Sequence, residues 1–259
     1  MYEAQNIENT GPVQQTLFKD PVAEEVKESI SHVKTAVETT LGDLLQEAAK
    51  LLERDEATDE EKRHLSNRIK ALTKCAAEVT EGVQNFEKGQ KAEQGMMEAA
   101  EAGETNLDNW VRDAATYFKN SQQNVLRGVE IANEADVIDH VINQWNKGQD
   151  YDSKKHSFMQ TLGRIALGVE ILVDRVRTFP DRLAEAIVGS VENKKEAVQE
   201  ALNSWKISTK SFYQKTITEV DSVMKSTSDQ LGAVREVLGD RAEGAVLGFG
   251  HRVQGNIFN

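Results

Sequence analysis

The chain has 259 residues and a formal net charge of −12, long enough to bury a sizeable core in one large domain or two small ones. So acidic a chain repels phosphate backbones, which argues against nucleic-acid binding and against electrostatic attachment to anionic membranes. Aromatic residues make up 6% and prolines number three; with abundant Ala, Glu, Lys, Gln and Leu and no alternating strand runs, the composition is all-α.

Residues 1–19 are polar around Gly11-Pro12 and read as a flexible lead. They begin Met1-Tyr2-Glu3, without the basic start and apolar run of a signal peptide. No segment approaches twenty uncharged apolar residues, so no transmembrane helix is expected. The expectation is a soluble cytoplasmic protein, peripheral to a surface at most.

A first helix opens at Asp20, a good N-cap, with Pro21 in the first helical position and Glu24 and Glu25 at the positive end of the dipole. Its stripe, Val22, Val26, Ile30, Val33, Val37, Leu41, Leu44, Ala48 and Leu51, steps by threes and fours to an end near Glu53. A second helix starts at a capping box, Thr58 and Glu61. Leu65, Ile69, Leu72, Ala76, Val79, Val83 and Phe86 then alternate four and three, a coiled-coil-like seam. The lone cysteine, Cys75, lies on this apolar stripe; it excludes an intrachain disulfide and reads as a small core residue.

Gly82 and Gly89 weaken the end of this helix, and residues 89–104, with Gly95 and Gly103, predict a poorly anchored helix or bend and a hinge. A third helix opens near Thr105 and carries Leu107, Val111, Ala114, Phe118, Val125, Val129 and Ala132 on one side. The polar run from Asn120 to Asn124 predicts a break. Ile138, Val141, Ile142 and Trp145 continue the pattern to a stop at Lys147-Gly148.

The most apolar helix is expected from about Ser153 to Arg177, through Phe158, Leu162, Ile165, Ala166, Val169, Leu172, Val173 and Val176. Thr178-Phe179-Pro180 predicts a turn. The run 181–238 then repeats in elevens: Ile187, Val198, Thr209, Val220 and Leu231 in one series, Val191, Leu202, Tyr213 and Met224 in a second, and Leu183, Lys194, Trp205, Thr216, Thr227 and Leu238 in a third. That period gives a nearly straight apolar face, and one continuous helix would span roughly 85 Å, unless the run folds back. Residues 239–259 form a Gly-rich apolar tail with Val246, Leu247, Phe249, Ile257 and Phe258.

No catalytic constellation emerges. Glu61 and His64 make a single Glu-x-x-His, half of what a di-metal bundle needs. Asp136, Asp139 and His140 read as a polar helix face. Arg164, Arg175, Arg177 and Arg182 are expected to pair locally with Glu170, Asp174, Asp181 and Glu185. No cofactor and no metal are expected, and the chain does not read as an enzyme.

The fold expected is an elongated bundle of about five long antiparallel amphipathic helices with coiled-coil-like packing, spanning 20–238. Three stretches are candidate interaction surfaces. The heptad seam offers Leu65, Ile69, Leu72, Val79, Val83 and Phe86. The eleven-repeat face offers Ile187, Val191, Val198, Leu202, Trp205, Val220, Met224 and Leu231. The tail is the third. The leading function is a structural scaffold that self-associates as a homo-oligomer or binds protein partners. The alternative is an amphipathic coat on a lipid or polymer-granule surface, bound through 181–238. A pore-forming protein ranks third, because the charges at Arg164, Glu170, Asp174 and Arg175 would each cost about 2.5–3.5 kcal/mol at a bilayer centre.

Overall fold

The computed structural model describes residues 20–54, 57–104, 106–148, 157–189, 204, 211–215 and 217–218. The described residues are helical, with no strand among them. The elements are α1 (Pro21–Leu52), α2 (Asp59–Glu101), α3 (Asp108–Glu134), α4 (Ile138–Gly148) and α5 (Phe158–Gly189), with further helical residues at 211–215 and 217–218. The 1–19 lead, most of the eleven-repeat run and the 239–259 tail lie outside the described residues.

Helix starts follow local chemistry. The Asp20 carboxylate accepts from the Val22 amide at 3.0 Å, with Pro21 behind it. At α2 the Glu61 amide donates to the Thr58 hydroxyl at 3.2 Å, and the Thr58 amide donates to the Glu61 carboxylate at 2.8 Å. The Thr58 hydroxyl also donates to that carboxylate at 2.8 Å, and the two bonds from the Thr58 amide and hydroxyl hold the Glu61 carboxyl below its usual range. α5 has its own capping box, unread in the sequence: Gln160 N–H donates to the Ser157 hydroxyl, and Ser157 N–H to the Gln160 side chain. The described helix opens at Phe158; Ser153, where the sequence places its start, lies outside the described residues.

Contacts along the helices give the topology. Gly95 lies against Trp110, Gly89 against Phe118, Gly82 against Val125 and Gly128 against Val79. Numbers rise on one helix as they fall on the other, so α2 and α3 are antiparallel. Lys27 pairs with Glu87 and Glu25 with Arg164, while Arg175 joins Asp20 to Glu93; numbers fall on α1 as they rise on α2 and α5, which sets α1 antiparallel to both. α5 packs against α3 and α1, and α4 packs on α1 beyond the start of α5. The result is an up-and-down bundle in which α4 and α5 share the fourth column. At about 1.5 Å per residue, the 43 residues of α2 span roughly 64 Å, so the bundle is elongated.

Three sequence expectations change. First, α2 does not bend after Gly89 but runs unbroken to Glu101, with Ala92, Met96, Ala99 and Ala100 buried. The bend comes later. Gly103 takes φ 88°, its amide donates to Ala100, and the Glu104 amide donates to Ala99. This is a Schellman stop, which only a residue tolerant of positive φ completes without strain. Second, α3 continues through Asn120–Asn124, because Ser121 and Gln122 are buried and the Gln122 side chain donates to the Ala166 carbonyl at 3.1 Å. Third, Pro180 does not end α5. The helix loses one backbone bond there, while Phe179 and Leu183 on either side stay buried and keep the segment seated.

For the eleven-repeat run, open in the sequence between one continuous helix and a run that folds back, the described residues bear on the choice. A Cβ built on Gly168 lies 3.4 Å from the Tyr213 ring, and Tyr213 and Ile217 are buried in the core. A straight helix would separate positions 168 and 213 by roughly 68 Å. The run is therefore not one straight helix, and its Tyr213 portion packs back on α5. This accounts for α5 being buried on several sides, as its wide apolar arc predicts.

Cys75 is fully buried, and burial, aided by the nearby Glu78 charge, pushes its thiol up to about 12 from 9.0. The folded chain thus holds this proton more tightly than the unfolded chain. The associated stability is complete below pH 9 and is lost as pH rises toward 12. At pH 8 an aromatic disulfide reagent should leave the native thiol unmodified for as long as the fold persists and label it promptly in denaturant. Rapid native labelling would mean that this part of the α2–α3 seam is open.

Candidate interaction surface

The heptad residues lie inside the bundle. Leu65, Leu72, Val79 and Phe86 are buried in the core, and Ile69 and Val83 pack against it. The seam expected to bind a partner is therefore occupied by the chain's own helices. Phe86 meets Phe118 with ring centroids 5.2 Å apart. Of the eleven-repeat face only Ile187 falls within a described helix, α5. Val191, Val198, Leu202, Trp205, Val220, Met224 and Leu231 lie outside the described residues, as do Val246, Leu247, Phe249, Ile257 and Phe258 of the tail.

The close α2–α3 approach depends on small side chains in seven-residue columns. α2 supplies Cys75, Gly82 and Gly89; α3 supplies Ala114, Ser121, Gly128 and Ala135. A Cβ on Gly82 would stand 3.1 Å from the Ser121 carbonyl oxygen, and one on Gly128 would stand 3.0 Å from that of Cys75. Backbone meets backbone at those points, so the pair behaves as one stiff two-helix rod.

The polar groups singled out in the sequence are absorbed differently. Glu61 serves the capping box. Asp136 takes φ 53° at the end of α3, where its amide donates to Asn133 and the Val137 amide donates to Ala132. It is thus the left-handed residue of a second Schellman turn. His140 receives the Arg68 guanidinium at 2.9 Å. Among the described residues, no group of three His, Cys, Asp or Glu side chains is placed to hold a metal ion.

Arg164 and Arg175 pair across the bundle. Arg164 reaches Glu25 at 3.0 Å, and Arg175, buried between α5, α1 and α2, pairs with both Asp20 and Glu93. Burial opposes the Arg175 charge, but the Glu93 and Asp20 carboxylates more than offset it, so its pKa rises above the ordinary arginine value. Sequence proximity favours neighbours on the same helix; only the assembled bundle brings positions 20, 93 and 175 together.

What remains on the outside is a groove of about 750 Å³ along α2 and α3. Its floor is Ala71, Ile131 and Ala135, and its rims carry Lys70, Lys74 and Glu78 from α2 and Arg127 and Glu134 from α3. Arg127 pairs with Glu78 at 3.3 Å, and Glu78 accepts from Asn124 at 2.9 Å. Further along the same helix pair Lys88 sits over the Tyr117 ring, and Trp110, 39% exposed, lies over Gly95. Trp110, Tyr117, Asn124 and Ile131 recur every seven residues and form an outer stripe. Heptad counting of apolar residues misses it, because its members are aromatic, polar and aliphatic in turn.

These features define an all-α protein, an elongated antiparallel bundle whose closely packed α2–α3 pair carries an open groove. Comparison with protein-family models, with curated proteins and with solved structures finds no match to this chain. No described helix is long and apolar enough to cross a membrane.

Proposed function

We propose that this protein is a non-enzymatic scaffold, an elongated helical body that works by self-association through its outer surface. One observation carries the reading. The groove on the stiff α2–α3 pair is open, with an apolar floor and charged rims of both signs. Such a surface suits a protein partner better than a small substrate, which needs a concave site enclosing most of its surface.

The competing coat reading rests on residues 181–238. Among the described apolar side chains of that run, Leu183, Tyr213 and Ile217 are buried and Phe212 packs half-buried against the core, with only the small Ala184 exposed, which favours the scaffold. Light scattering over a concentration series, alongside flotation with phosphatidylcholine vesicles and oil droplets, tests the two. The scaffold reading expects a mass above the 28.8 kDa of one chain and no flotation. A monomer at every concentration that floats with vesicles or droplets would replace it with the coat.

A further inference from the structure

We infer that the occupant of the α2–α3 groove is a second copy of this chain, docked face to face about a two-fold axis parallel to the helices. This rests on the self-association proposed above and names the surface responsible.

Charge arrangement carries the inference. Because α2 and α3 run antiparallel in the register fixed by Gly89 on Phe118 and Gly82 on Val125, Glu134 lies at the height of Lys70 and Lys74, and Arg127 at the height of Glu78. A two-fold axis along the bundle places α2 of one copy over α3 of the other at equal heights. Lys70 and Lys74 of each copy then face the partner copy's acidic rim position at 134, and Glu78 faces its basic position at 127. Each match occurs twice by symmetry. A two-fold lying across the helices would instead stack α2 on α2 and set like rims together in the same region.

Size agrees. α2 contributes roughly 42 Å from Asn67 to Gly95 and α3 roughly 36 Å from Trp110 to Glu134, at 1.5 Å per residue and each about 10 Å wide. That is about 780 Å² per copy, close to the ~800 Å² per partner of a standard interface. Ile131 lies in the groove and the partly exposed Trp110 at the far end of the face, and Trp is a residue type that anchors interfaces.

The test uses two variants of the full chain, Lys74→Glu and Glu134→Lys. Both positions are exposed, so circular dichroism should report unchanged folding. Each variant alone sets like charges together twice and should shift the dimer midpoint at least tenfold upward in concentration. Mixed one to one, they should recover dimers, because both facing 74–134 pairs in the mixed dimer are again opposite in sign. A charge pair within one chain cannot produce that rescue. Variants that dimerise like the wild type, or a mixture that stays monomeric, would overturn the surface while leaving self-association standing. A wild type that is monomeric throughout would overturn both.

Discussion

Replacing Arg175 by methionine should lower folding stability by about 3–5 kcal/mol, read as a fall in the urea midpoint. Arg175 is 3% exposed and its main partner Glu93 is 5% exposed. Removing the guanidinium takes from the buried Glu93 carboxylate the cation that offsets its desolvation, and that desolvation cost, more than the lost attraction, sets the size of the effect. Asp20 loses a partner too, yet it keeps its N-cap bond to Val22. The triple change Asp20→Asn, Glu93→Leu and Arg175→Met should recover most of the loss, since the polar cluster is replaced as a unit and the asparagine can still cap α1. A single variant as stable as the wild type would mean that the three groups do not act as one buried cluster.

Two glycines in helix interiors should respond to alanine with opposite signs. At Gly42 a Cβ meets nothing within 4 Å, so Gly42→Ala should raise stability by up to about 1 kcal/mol through helix propensity. At Gly168 the same atom would lie 2.2 Å from Val26 Cγ2. Valine is stiff at χ1 and cannot swing clear, so α1 and α5 must separate. The overpacking cost should exceed the propensity gain and leave Gly168→Ala about 1–3 kcal/mol less stable. Thermal melts of the two variants side by side make the comparison, and equal shifts would contradict the α1–α5 contact.

Those glycines also show where sequence reading ran out. A local signal sufficed wherever the determining groups are local: Asp20 with Pro21, Thr58 with Glu61, and the threes and fours of the stripe from Val22 to Leu51. The same period showed that Leu72, Val79 and Phe86 are buried, but period alone does not say by whom, and the seam closes on the chain's own helices. Gly82, Gly89 and Gly95 read as weak points because propensity scales price a glycine by itself; here Val125, Phe118 and Trp110 fill the space it leaves. Asn120–Asn124 read as a break because polar residues seldom face a core, yet Gln122 finds a carbonyl on α5, more than forty positions away. Pro180 read as a stop because the missing amide is visible in the sequence, whereas the burial of Phe179 and Leu183 that offsets it is not. The groove was illegible for a related reason: its two rims lie on different helices, and only the register joins them.

That register is fixed by an arithmetic irregularity. Cys75, Gly82 and Gly89 repeat at seven, so α3 could slide by one heptad and reseat Phe118 on Gly82 and Val125 on Cys75 with small residues still beneath them. Gly95 follows Gly89 by six. After such a slide Trp110 would find Lys88, a long side chain where its indole needs bare backbone. Gly95 and Trp110 thus work like the odd tooth of a key, rejecting the near-equivalent alignment that a perfect repeat would admit.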